Sequence, residues 1–354
     1  MKKNIEPTPL SLDDAAAMAQ WDSFVKSHAE GTPYHLSGWM KTIAATYGFK
    51  PLLYAAKDAA DEVAAVLPFF IIKNIMNGKR SVSLPFSDYG GQLLGEACKN
   101  EDVFSGICNK NPNLFKQVEL RGGLPFSTSF VSNACYTRHV LDLQRDVETV
   151  YKNINKRTIQ YSIRKAEKAG VTVTERRDAA GMEEFVRLNS LTRKKHGVPS
   201  QPRKWFDHLV EKIIVRGDGF ILLAALDSRI IGASIFLICG NSLHYKYNAS
   251  DPSILHTVSP NHLITWTGIK WGIEHGFRRL DFGRTSSDNE GLMRYKEMWG
   301  TQAIAIPYYY FPKVVGASSV NEKSLPYRIY TAGWRMLPDP VAELASSVVF
   351  RFLA

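Results

Sequence analysis

Residues 266–312 read WTGIKWGIEHGFRRLDFGRTSSDNEGLMRYKEMWGTQAIAIPYYYFP. The stretch changes period three times. Up to His275 it completes a helix that begins at Pro260, and Gly276 stops it. Residues 278–282 form a strand run closed by a glycine turn at Gly283. Residues 290–299 return to helical spacing, and 303–311 alternate as a strand. Upstream lie three strand runs, 220–226, 230–239 and 242–249, joined by short polar turns. A meander followed by helix, strand, helix and strand is an α+β order, not the regular βαβ alternation of a doubly wound sheet.

Further out the same logic repeats. Residues 147–169 read as one long helix stopped by Gly170, followed by a strand at 171–175 and helices at 180–196 and 204–216. The first part opens with helices around Trp21 and Trp39, then strands at 51–57, 62–73 and 81–84, with a turn at Asn77-Gly78. A loop at 85–91, a helix near 98–109 and strands at 117–121 and 136–143 complete it. The expected organisation is a first domain over 1–145, a second over 146–312 and a tail over 313–354, with the first dozen residues unstructured.

Charge is unevenly spread. Residues 1–145 hold 15 Lys and Arg against 14 Asp and Glu, whereas 146–354 hold 29 against 20. The basic excess suits either a polyanionic ligand, an anionic membrane face or a solvated surface. Cys98, Cys108, Cys135 and Cys239 show no zinc spacing and read as buried thiols of a cytosolic protein. The first residues lack a signal-peptide core, and no apolar run reaches the ~18 residues of a spanning helix.

Several details identify a family. The pattern Leu280-Asp281-Phe282-Gly283-Arg284-Thr285, then Arg294-Tyr295-Lys296 and Trp299-Gly300, resembles the C-terminal half of FemAB-type acyltransferases. Leu67-Pro68-Phe69 and the run from Ser83 to Gly91 resemble the first domain of a FemAB-related branch, and Lys156-Arg157 with Arg164-Lys165-Ala166 the basic helix opening the second. The resemblance implies two GNAT-like domains in tandem, the first on the acceptor side and the second on the acyl-donor side. It implies a donor aminoacyl-tRNA, an acceptor that is a nucleotide- or lipid-linked cell-envelope precursor, and direct aminolysis requiring no metal or prosthetic group. Tyr295 departs from it, standing where the family usually has Phe.

The candidate residues follow. Arg284, Arg294 and Lys296 form a cation cluster that either faces solvent or lines an anion site. The resemblance gives Lys296, beside Tyr295, the donor end or the tetrahedral oxyanion. Asp281 either orients Arg284 or Lys296 or caps its turn. Lys152, Lys156, Arg157, Arg164 and Lys168 make a basic stripe fit for pyrophosphate, tRNA backbone, membrane or simple solvation. In the first part, Gly90 and Gly91 permit close backbone approach, with Tyr89 beside them. Asp88 is the candidate for orienting the acceptor amine, and Arg121 for a substrate phosphate.

Absences matter too. No G-x-S-x-G elbow, HExxH or Walker motif is present. The stretch 248–261 contains no glycine, where ordinary GNAT enzymes have the loop that cradles acetyl-CoA. Two rival readings remain: an acyl-CoA or acyl-carrier N-acyltransferase of exopolysaccharide synthesis, and a non-catalytic GNAT pair holding polyanion or membrane. The tail carries an apolar stripe with Arg328, Arg335 and Arg351 off it, suited either to packing on the domains or to peripheral membrane contact.

Overall fold

A computed structural model describes residues 6–74, 78–98, 103–125, 129–313 and 325–353. The chain is α+β and divides into two compact units. In the first, β1 (Thr8–Leu10) pairs antiparallel with β2 (Lys50–Lys57), β2 with β3 (Val63–Asn74) and β3 with β4 (Gly78–Val82). A two-residue strand, β5 (Leu93–Leu94), adds to β3. Then β4 lies parallel to β6 (Val118–Arg121), with α3 (Ser105–Lys110) in the connection. Within the stretch expected to be unstructured, Thr8, Pro9 and Leu10 form an edge strand, a place where proline's missing donor costs nothing.

Helices α1 (Ala15–Ser27) and α2 (Ser37–Tyr47) cover this sheet. Asp14 caps α1 by accepting from the amides of Ala16 and Ala17, and left-handed Gly48 ends α2. Trp21 and Trp39 are fully buried, and the Trp21 indole donates to the His35 carbonyl at 2.7 Å.

The chain passes to the second unit within β7 (Val131–Asp142) and returns within β13 (Gln302–Phe311), whose end from Ala305 counts with the first unit. Sequence reading places these boundaries in the loops at 145 and 312. There β13 runs antiparallel to β6, with Tyr308 opposite Arg121.

The second unit is a meander. β8 (Thr172–Arg176), β9 (Gly219–Leu226), β10 (Arg229–Cys239) and β11 (Ser242–Ser250) are antiparallel neighbours, and β12 (Arg279–Ser286) lies parallel to β11. Along β9, Phe220, Leu222 and Ala224 enter a core with Phe236, Ile264, Ile269 and Trp299. α5 (Tyr161–Lys168) and α9 (Pro260–Glu274) supply its helical side. α6 (Ala179–His196) and α7 (Arg203–Leu209) pack on each other, α6 also against β9 to β11.

Three expectations need correction. The long helix 147–169 is two: α4 (Val147–Asn153) ends at extended Ile154, and a wide turn at Lys156–Gln160 leads into α5. Asn155 restarts it by accepting from the Thr158 amide, and its own amide is taken by the Met298 carbonyl at 2.9 Å. Lys152 is therefore not in line with Lys156 and pairs with Glu148 at 2.8 Å. Second, β12 does not stop at Gly283. Third, the tail is α11 (Leu325–Met336) and α12 (Asp339–Leu353), broken around Pro338. The expected turn at Asn77-Gly78 and the helix near 98–109 extend into 75–77 and 99–102, outside the described residues, as are the side chains of Cys108 and Cys135. Cys98 and Cys239 are buried thiols.

Candidate functional site

In the second unit, β11 and β12 pair only where Ser242, Leu243 and His244 face Arg279, Leu280 and Asp281. Beyond these residues both strands continue without pairing, to Ser250 and Ser286. A wedge opens between two parallel strands. β11 carries a bulge beside it: Ile235 faces Tyr247 and Phe236 faces Tyr245, which leaves Lys246 over. Tyr245 thereby joins the α9 core, and Tyr247 packs instead on Phe185 and Phe206.

Gly283 stands in the wedge with φ of 71°, inside β12 rather than after it. Asp281, almost wholly buried, takes the Gly283 amide at 2.7 Å, and its other oxygen lies 3.7 Å from Arg138. The strand can continue because a side chain supplies the acceptor that the kinked backbone loses. Arg284 follows, half-buried.

α10 (Glu290–Glu297), capped by Asn289, brings Lys296 to this kink. Lys296 is 5% exposed, and its ammonium donates to the carbonyls of Gly283 at 2.8 Å and Arg284 at 3.4 Å. A lysine buried on carbonyls is a fixed cation rather than a mobile arm. Arg294 projects to solvent from the same helix.

His139 of β7 escaped sequence reading. It is fully buried, and among the described residues neither ring nitrogen has a hydrogen-bond partner. Burial first, and the Lys296 cation second, hold its pKa below the ordinary histidine value, so it is neutral. The Thr285 hydroxyl is likewise buried without a partner. Nothing in the run Tyr136–Val140 distinguishes His139 from a strand residue; only the fold brings it beside Lys296.

Tyr295 packs edge-on to His262 at 5.8 Å and to Trp299. Burial pushes its hydroxyl well above the ordinary phenol value, making it a neutral donor. His262, on the first turn of α9, is lowered to about 4 by burial. Between β11 and α9 lies α8 (Leu255–Val258), and Ser259 enters α9 left-handed. α5 packs on both α8 and α9, and Lys156, Arg157 and Arg164 stand exposed around its start.

The first unit has its own polar centre. Between β4 and β5 the loop is strained: Leu84 and Phe86 take φ of 43° and 65°. Asp88 accepts a short hydrogen bond from the Tyr34 hydroxyl, and its carbonyl accepts from Tyr308 at 2.8 Å. Tyr89 is buried, edge-on to Tyr34. Gly90 and Gly91 are packed against the chain itself. A Cβ on Gly91 would lie 2.1 Å from the Gly122 carbonyl, one on Gly90 2.4 Å from Leu84. Arg121 is buried, bonds Glu119 at 2.7 Å and lies over the Tyr308 ring, while Arg80 takes the other Glu119 oxygen at 2.9 Å. Two guanidinium groups on one buried carboxylate leave a positive excess on this sheet.

A model of the acetyltransferase (GNAT) domain matches residues 155–297, which contain the wedge, α9 and α10. Lipid II:glycine glycyltransferase of Staphylococcus aureus strain bovine RF122 / ET3-1 is 21% identical, over 79% of this chain and 87% of that protein. The crystal structure of FemX superposes with a TM-score of 0.67 at 16% identity, covering 86% of this chain and 97% of FemX. The chain is a homologue of the FemAB-type acyltransferases. L-PGS from Bacillus licheniformis shares the fold, with a TM-score of 0.56 at 11% identity over 95% of this chain and 96% of its own. The FemAB homologue is thus a GNAT-fold acyltransferase, and its wedge lies inside the GNAT match. Among the described residues, no helix is long and apolar enough to cross a membrane.

Proposed function

We propose that the chain transfers an aminoacyl group from aminoacyl-tRNA to an amine of a lipid-linked peptidoglycan precursor. The relationship to lipid II:glycine glycyltransferase carries this reading, because it extends over 87% of that protein and takes in both units. The reaction is aminolysis. The neutral amine attacks the ester carbonyl carbon and forms a tetrahedral oxyanion. Collapse breaks the carbon–oxygen bond to the tRNA ribose, whose oxygen leaves with the proton the amine gives up.

The wedge of the second unit holds the ester. Lys296 contributes a fixed positive field at the kink of β12, and Tyr295 a neutral hydroxyl. Asp281 keeps Gly283 in place, and Arg284 and Arg294 meet the phosphates nearest the acceptor end of the tRNA. Lys156, Arg157 and Arg164 take the tRNA backbone further out. In the first unit Asp88, set by Tyr34, orients the acceptor amine; Arg121, Gly90 and Gly91 hold that loop to its sheet. The choice of tRNA over acetyl-CoA rests on 248–261, where α8 and a glycine-free chain replace a pyrophosphate loop. The acceptor places the protein at the inner face of the membrane, with α11 and α12 as its contact.

Filter binding of charged tRNA across a salt series tests the donor. Reversing Lys156, Arg157 and Arg164 together to Glu is expected to flatten the salt slope by roughly 2. An unchanged slope with undiminished affinity removes the basic face from the donor site.

A further inference from the structure

A cavity of about 330 Å³ lies in the second unit, away from the wedge. Its walls are the end of α6 and the following loop on one side, and the tail helices α11 and α12 on the other. The tail is closely seated. Gly197, which ends α6 with φ of 68°, admits no side chain: a Cβ there would lie 2.2 Å from the Thr331 carbonyl of α11. Arg335 ties the same contact by donating to the Lys195 carbonyl at 3.2 Å.

The cavity is lined by both apolar and charged side chains. Trp334 and Leu337 of the tail and Val198 after α6 are apolar, and Arg193, Lys194 and Arg203 carry charge. The two arginines differ. Arg203 is matched by Glu183 and by Asp207 at 3.0 Å. Arg193 is not matched. Among the described residues its guanidinium makes no hydrogen bond or ion pair; burial lowers its pKa from the usual arginine value, and the neighbouring Tyr247 hydroxyl offsets this in part. A partly desolvated arginine in the lining of a cavity, with no carboxylate partner among the described residues, leaves room for an anion.

The outside of the same helices is apolar. Met336 is 85% exposed and Leu344 72%. Val341, Leu344 and Val348, three and four residues apart, share one face of α12, and Lys194 and Lys195 of α6, Arg335 of α11 and Arg351 of α12 are exposed. A free inorganic anion has no use for such a face; a lipid has.

We propose that this cavity takes the phosphate of an anionic membrane lipid, with Arg193 as its ligand and the Val341–Leu344–Val348 face of α12 laid into the interface. The site is separate from the wedge and does not depend on which acyl donor the protein uses. It assigns a ligand to the basic end of α6, which the transfer reaction leaves without a task.

Flotation of the full-length protein with vesicles decides the matter. Phosphatidylglycerol vesicles are expected to carry the protein and phosphatidylcholine vesicles to leave it behind. Arg193→Met, which removes the charge and keeps the length, is expected to weaken binding about tenfold or more, and Leu344→Asp, at an exposed position that folding does not need, to weaken it similarly. Equal binding to both vesicle types, or Arg193→Met indistinguishable from the parent, overturns the proposal. Stabilisation of the parent but not of Arg193→Met by inorganic phosphate, without flotation, overturns the lipid and leaves a soluble anion site. Retained circular dichroism in both variants excludes unfolding as the cause of a loss.

Discussion

Lys296 gives its ammonium to the carbonyls of Gly283 and Arg284, and three neighbouring cations in the sequence thus have three different surroundings. Lys296→Ala leaves those buried carbonyls without a donor, a cost of about 1–3 kcal/mol in denaturant unfolding. If the fixed charge also stabilises the oxyanion, transfer falls by roughly a hundredfold or more, beyond what partial unfolding accounts for. His262 makes a second prediction. Its pKa falls from 6.5 to about 4 on burial, so the unfolded chain binds the proton that the folded chain refuses. Stability is complete above pH 6.5 and is lost as pH drops toward 4, by up to roughly 3 kcal/mol; a His262→Asn or His262→Gln variant flattens that part of the profile. Gly91→Ala places a Cβ 2.1 Å from the Gly122 carbonyl, and a lower melting temperature is expected even if Asp88 is intact.

Most elements were legible as elements, because strand alternation and helix spacing persist along them. The meander β9–β10–β11 and helix α9 lie where the apolar period puts them. Two of the failures share a cause: a side chain or a distant carbonyl satisfied a backbone group that sequence alone leaves open. Asn155 breaks 147–169 because its side chain caps a new helix and Met298 takes its amide. Asp281 lets β12 pass through Gly283, and that kink is the feature Lys296 holds. The resemblance named Lys296 and Tyr295 as a pair, whereas His139 was invisible because it comes from a strand far away in sequence. Asn155→Ala should cost about 1 kcal/mol through the lost cap. Gly197→Ala, by contrast, should free α11 from α6 and raise protease cutting within the tail before the rest of the chain is affected.

For the molecule as a whole, charge and homology point the same way. The basic excess lies in 146–354, which carries the GNAT match and the exposed Lys156, Arg157 and Arg164. A protein that brings a polyanionic donor to a lipid-linked acceptor needs that distribution, and an acyl-CoA enzyme needs less of it. The direct measurement is turnover. Purified protein is supplied with a lipid II acceptor and either tRNA charged with radiolabelled amino acids or radiolabelled acetyl-CoA, and label is followed into the lipid. Transfer from charged tRNA, sensitive to salt and lost in Lys296→Ala, is the expected result. Label arriving from acetyl-CoA with none from any charged tRNA would contradict the aminoacyl-transfer reading.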